Sequence, residues 1–379
     1  MLNNGFNCYF YGHDCGNAPK ICTRSQSTEA AKCFPSQGHK IYMKHVTIKE
    51  IADRLLLSTS TVSRALVGDK NIRRETKEKV LEMANRLGYR TNTMARDLKS
   101  GRTNTIGVLV PEMVTPYAST LIDGIKKTLF KMNMRVVVAD SHEQASQEAD
   151  NLDLMERFRV DGIIISVTDS KANRSRLEDL MARGTPIVFI DRVPHGMEVS
   201  QVIVDDYMKS YFLIERILRS GRRDVAYLKG PDTVFNSRER ERGYRDAMRR
   251  FGIEVTERHV VDCGITYDDG RRAARSLLES GIHCDTIFAF TDIVAIGAMN
   301  QLRDMGIKIP EEIAVASFSG TILSEMSYPR LTTVEPPLEK MGAEAARLLL
   351  EKIDNPDSPC KKEVLEAMIR MRPSTGHYD

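Results

Sequence analysis

The residues best suited by type to do chemistry stand close together at 58–64. There Ser58, Thr59, Ser60, Thr61 and Ser63 lead into Arg64 within the stretch STSTVSRALVG. Short hydroxyl side chains let a backbone approach phosphates closely and hydrogen-bond their oxygens, and the start of a helix adds partial positive charge. A guanidinium one turn further on reaches guanine or phosphate. The chemistry is recognition of a duplex rather than bond-making, with Thr59 and Ser60 at the entering tip and Arg64 behind them. The plainer alternative is a capped surface helix rich in hydroxyls.

Constellations for other chemistries do not assemble. No nucleophile–base pair, phosphate-cradling glycine loop or metal-ligand spacing is present, so no enzyme, cofactor or metal site is expected. Cys8, Cys15, Cys22 and Cys33 are separated by six, six and ten residues, wider than the spacing of zinc ligands. Charge supports the duplex reading. Residues 43–102 hold 14 Lys and Arg against 7 Asp and Glu, whereas residues 103–379 carry a net −6. A basic module on a mildly acidic body fits a nucleic-acid head on a globular core.

The elements that must hold Arg64 and its neighbours follow from periodicity. Residues 1–42 show neither helical nor strand period and read as a disordered or mis-called extension, the physiological chain being expected to start at Met43. Thr47 and Glu50 form a capping box, followed by Ile48, Ile51, Ala52 and Leu55 on one face. Ser58 caps a second helix with Val62, Ala65 and Leu66 turned inward and Gly68 ending it. A third helix, Glu75–Leu87, buries Val80, Ala84 and Leu87 and stops at Gly88.

Beyond residue 104 the texture alternates. The apolar runs TIGVLVP, RVVVAD, GIIISV, PIVFID, QVIVDD, DVAYLKG and TIFAFTD are joined by amphipathic stretches, the pattern of parallel sheet covered by helices on both faces. They are too many for one sheet, so two doubly wound lobes are expected, with a ligand cleft at the carboxyl ends of their strands. No run is long enough to span a membrane and no secretory pattern opens the chain, so a cytoplasmic protein is expected.

With these residues in hand, a resemblance emerges over about 43–379. VTIKEIADRLLLSTSTVSRALVG, LGYRTNTMARDLKSGRTNTIGVLVP, VDGIIIS, PIVFIDR, RERGYRDAM, TDIVAIGAM and PRLTTVEPPLEKMG follow in the order seen in LacI-family bacterial transcription regulators. The resemblance implies an all-α helix-turn-helix headpiece at 43–90 and a hinge helix at 91–102. It also implies an α/β core at 103–379 of two parallel-sheet lobes, similar to type I periplasmic binding proteins. The lobes are expected at about 103–203 plus 310–337 and at 204–309 plus 338–379. By the same resemblance Thr59, Ser60 and Arg64 read base edges and Thr61 and Ser63 contact phosphate. Asn92, Ala95, Arg96, Leu98 and Lys99 belong to a hinge helix in the minor groove, with Leu98 wedged between base pairs. Two departures stand out: Thr91 replaces the usual proline before the hinge, and Arg73 stands where a capping Ser is common.

For the cleft, the resemblance implies Arg240 as ligand anchor, Asp292 as the acid facing it and Tyr117 as a stacking aromatic, with Asn236 and Asp191 as further candidates. VTPYA lacks the second aromatic usual in the family, and ASFSG replaces a glycine and two acids. The expected function is a ligand-responsive regulator, a repressor of carbohydrate-use genes. Its expected partners are a pseudo-palindromic double-stranded DNA operator, a sugar or sugar derivative, and further copies of the chain in a homodimer or tetramer. The rival is an exported sugar-binding protein for transport.

Overall fold

The computed structural model describes residues 46–89 and 102–376. The chain divides into two compact units at Thr91–Asn92. The expected extension and the hinge residues Asn92, Ala95, Arg96, Leu98 and Lys99 lie outside the described residues, as do Cys8, Cys15, Cys22 and Cys33.

The first unit is three helices: α1 (Ile48–Leu55), α2 (Thr59–Val67) and α3 (Arg74–Leu87). The capping box forms, with Glu50 N–H donating to Thr47 Oγ1 at 3.3 Å and Thr47 N–H to Glu50 Oε2 at 3.1 Å. Ser58 Oγ accepts from the Thr61 N–H at 3.1 Å, and Gly68 and Gly88 end their helices with positive φ. Ile51, Ala52, Val62, Ala65, Val80 and Ala84 are buried together as one small core. Arg73 precedes α3 without any side-chain cap bond. The turn from α1 to α2 passes through Leu56, left-handed at φ 55° and 93 % exposed.

The second unit holds two six-stranded sheets. In the first, β1 (Thr105–Val110), β2 (Arg135–Asp140), β3 (Gly162–Ile165), β4 (Ile187–Ile190) and β5 (Ser200–Val204) alternate with α4 (Pro116–Phe130), α5 (Ala145–Arg157) and α6 (Arg174–Ala182). The second is built from β6 (Val225–Lys229), β7 (Val260–Asp262), β8 (Thr286–Ala289), β9 (Ala314–Phe318) and β10 (Thr332–Glu335). Its helices are α7 (Asp206–Arg219), α8 (Phe235–Arg250), α9 (Tyr267–Glu279), α10 (Asp292–Asp304) and α11 (Ile322–Met326). The chain closes with α12 (Leu338–Asp354), β11 (Lys362–Leu365) and β12 (Met368–Arg370). Strand orders are β2-β1-β3-β4-β5-β11 and β7-β6-β8-β9-β10-β12, parallel except for β12, which runs antiparallel to β10. Strands β3 and β4 are buried along their whole length, as sheet covered on both faces requires.

The allocation of residues 310–365 to lobes departs from expectation. Residues 310–337 belong with the second lobe, since β9 lies between β8 and β10. Residues 338–365 belong with the first: α12 packs on α4 and β11 pairs with β5. The exchange occurs at Pro336–Pro337, where β10 ends and the chain leaves one lobe for the other. The α4–α12 contact is unusually close, because a Cβ on Gly124 would meet the Glu339 carbonyl oxygen at 2.1 Å and one on Gly342 the Leu121 carbonyl oxygen at 2.1 Å. The chain thus passes between lobes three times, at 204–206, 335–338 and 365–368.

Candidate functional site

On the headpiece, α2 presents Thr59 and Ser60 in its first turn and Arg64 one turn later, all exposed, with Thr61 and Ser63 half-buried. Ser58 Oγ bonds both Ser60 Oγ and Thr61 Oγ1 at 2.8 Å, so the hydroxyls form a linked cluster at the positive end of the helix. The Arg64 side chain is in no ion pair among the described residues. Val62 and Ala65 point the other way, into the core, and this division of faces keeps the hydroxyls and the guanidinium outward.

In the core unit, a cavity of about 530 Å³ opens between the lobes at the carboxyl ends of their strands. All five cleft residues expected from sequence line it: Tyr117, Asp191, Asn236, Arg240 and Asp292. Asp191 follows β4 directly and sits in the left-handed region at φ 63°. Its Oδ1 accepts from Tyr117 OH at 2.8 Å and, across the cleft, from Asn236 Nδ2 at 2.9 Å. Burial, reinforced by the Asp191 charge, pushes the Tyr117 phenol well above its usual range. Tyr117 therefore stays protonated and donates.

Arg240 is 2 % exposed and fully committed in direction. Its Nε donates to Asp206 Oδ1 at 2.7 Å, and its Nη1 to the Phe290 carbonyl at 2.8 Å and Ser319 Oγ at 3.2 Å. The guanidinium lies 3.8 Å from the Phe318 ring centre and 4.8 Å from that of Phe290, a stacked arrangement that fixes its plane. The side chain ion-paired with Arg240 is Asp206, while Asp292, expected as the acid facing the anchor arginine, lines the same cavity. Burial pushes the Asp206 carboxyl up to about 7 against the opposing charge of Arg240.

Asp292 serves differently. Its Oδ1 accepts from Ser317 Oγ at 2.6 Å and Thr333 Oγ1 at 2.9 Å, and its Oδ2 from the Thr321 N–H at 2.7 Å and hydroxyl at 3.1 Å. Burial raises its pKa while these bonds pull it down. The carboxylate ties together the ends of β8, β9 and β10 beneath the cavity. Ser317, within the departure noted in ASFSG, thus supplies one of its donors.

Sequence reasoning passed over Asp206, which pairs with Arg240, and the lining residues Ser319 and Arg192. Asp206 could have been found as the second acid of VDD, placed at the start of a helix after a strand. Ser319 sits at φ 76°, and Arg192 forks the Glu143 carboxylate at 2.7 and 3.0 Å; neither has a local sequence signature. Among the described residues no cluster of His, Cys, Asp and Glu is arranged to hold a metal, and no helix is long and apolar enough to cross a membrane.

A basic three-helix headpiece joined to a two-lobed, cleft-bearing α/β core defines a ligand-responsive DNA-binding regulator. Residues 47–92 match the bacterial regulatory proteins of the lacI family, and residues 103–370 match the periplasmic binding proteins and sugar binding domain of that family; the chain belongs to the LacI family. It is 30 % identical over 334 residues to catabolite control protein A of Priestia megaterium, covering 87 % of this chain and 99 % of that one. The HTH-type transcriptional repressor CytR of Escherichia coli K12 is 27 % identical over 329 residues, covering 87 % and 96 %. Among solved structures, the Lac repressor dimer bound to operator and an anti-inducer shares the fold with a TM-score of 0.79 at 22 % identity, over 88 % of this chain and 99 % of that one. These relatives are transcriptional regulators. Operator DNA, a small effector and a second copy of the chain are the partners that membership of this family brings.

Proposed function

We propose that this chain is a cytoplasmic repressor of carbohydrate-use genes, without enzymatic activity, whose hold on its operator is set by a sugar or sugar derivative seated between the lobes. One observation carries the reading: Asp191 from the first lobe and Asn236 and Arg240 from the second converge on one cavity, so a ligand there touches both lobes together. The ligand alters DNA affinity only as far as it prefers one lobe arrangement over another. Thr59, Ser60 and Arg64 read base edges, and Thr61 and Ser63 hold phosphate. Leu98 wedges a base step, flanked by Asn92, Ala95, Arg96 and Lys99. The match of residues 47–92 to regulatory proteins speaks against the exported transport protein.

Selection from a random duplex library, followed by anisotropy titration of the selected site, tests this. A pseudo-palindrome bound at least about 10³-fold more tightly than shuffled duplex, with steep salt dependence and a response to a sugar, is expected. Selected duplexes held no better than shuffled ones would overturn it.

A further inference from the structure

We propose that the effector carries no anionic group and has two parts, a donor-rich polar ring held deep in the cleft and a second ring or apolar substituent at its mouth. This rests on reading the cleft as the effector site.

Charge comes first. The wall presents Glu112, Glu143, Asp191, Asp268 and Asp292 against Arg192 and Arg240. Neither guanidinium is unclaimed: Glu143 holds Arg192 in a fork, and Asp206 holds Arg240 at 2.7 Å. The remaining cationic candidate on the wall, His142, faces Asp140 at 3.2 Å. A phosphate or carboxylate entering this space meets a wall richer in carboxyl groups than in guanidiniums, and both lining guanidiniums are already hydrogen-bonded to carboxyl groups.

Hydrogen-bond polarity points the same way. Asn236 spends its Nδ2 on Asp191, and its buried Oδ1 has no partner among the described side chains; the buried Thr291 Oγ1 is likewise unpartnered. Both residues line the cavity. An amide oxygen accepts only, so its missing partner must donate. A hydroxyl or N–H meets that need and an anionic oxygen does not.

Size and apolarity complete the description. The cavity of about 530 Å³ is more than one sugar ring fills. Ile265, Tyr267, Ile293 and Leu323 are half-buried around it, and Val114 is 93 % exposed at its edge. A second ring or apolar substituent covers these side chains and gains from their removal from water.

The full-chain protein tests this directly by equilibrium dialysis and thermal melting with matched probes. The neutral two-part set is cellobiose, maltose, phenyl glucosides and nucleosides. The charged set is their phosphorylated or carboxylated counterparts, and the one-ring set is glucose and ribose. At least one neutral two-part compound should raise the melting temperature, with its charged counterpart and its single ring each binding at least tenfold more weakly. A charged or one-ring probe binding as tightly, or no neutral two-part probe binding, would sink the proposal. A charged compound that binds and shifts operator affinity overturns this inference and upholds the regulator reading. A neutral compound that binds without any effect on operator affinity does the reverse.

Discussion

Asn236 donates to Asp191 across the cleft at 2.9 Å, joining the start of α8 to the end of β4. Asp191 holds a left-handed backbone to make this bond, a conformation that aspartate tolerates better than most residues. One hydrogen bond therefore links the lobes at the place where a ligand would enter.

Asn236→Ala removes that link and the unpartnered acceptor beside it, leaving the Tyr117–Asp191 bond intact. Effector affinity should fall at least tenfold, while operator affinity without effector stays within threefold. Calorimetry with the effector and anisotropy with the operator separate the two outcomes.

Arg64→Ala should cost about 1–3 kcal/mol of specific operator binding. Shuffled duplex should lose far less, and the core should melt as before. Equal losses on both duplexes would move base reading away from Arg64.

Asp206 sets a pH dependence. An unfolded aspartate releases its proton near ~4, whereas the folded carboxyl keeps it to about 7. The folded state holds the extra proton between these values, so this contribution to stability is complete below ~4 and is lost as pH rises to about 7. Urea melts of the native chain and Asp206→Asn should differ by an amount that falls by on the order of 1 kcal/mol per pH unit through this window. The difference should be flat above pH ~8. A difference constant with pH would rule the titration out.

Gly342→Ala places a methyl against the Leu121 carbonyl at 2.1 Å. Forcing α4 and α12 apart should lower core stability by about 1–3 kcal/mol, read as an earlier urea midpoint. Gly124→Ala should behave alike, because the two glycines face the same helix pair.

Arg73→Ser supplies the cap that α3 lacks. The headpiece should gain about 1 kcal/mol, seen as slower amide exchange along α3 in the full chain, and non-specific DNA affinity should drop with the lost charge. Unchanged exchange would mean that the cap position is already satisfied.

What sequence revealed follows physical signal strength. Thr47, Ser58, Gly68 and Gly88 delimit helices because caps and left-handed stops are local and chemically specific. The seven apolar runs became strands for a similar reason: sheet buried on both faces leaves unbroken hydrophobic stretches. Strands β10 and β11 read TTVE and KEVL, too polar and short to stand out, and Thr332 and Thr333 are buried through side-chain hydrogen bonds rather than apolarity. Without those strands, the boundary at 337/338 takes the reversed direction, a crossing falls at 309/310 where there is none, and residues 310–365 go to the wrong lobes. Resemblance named five residues that all line the cleft, yet it gave no sign of the Asp206 partner that holds Arg240. That pairing depends on how closely α7 and α8 pack, where Gly243, one turn after Arg240, lies against the Tyr207 carbonyl, and Asp206 itself is 34 residues away in the chain.

Three separate passages of backbone tie the lobes together, so neither can drift away from the other or slide freely past it. What remains is a swivel, in which short segments flex in concert while each sheet travels whole. A molecule wedged beside such a pivot moves its immediate surroundings only slightly, yet the distant rim of each lobe sweeps a larger arc. The signal sent out of the cleft is mechanical leverage, and the triple tether sets its axis.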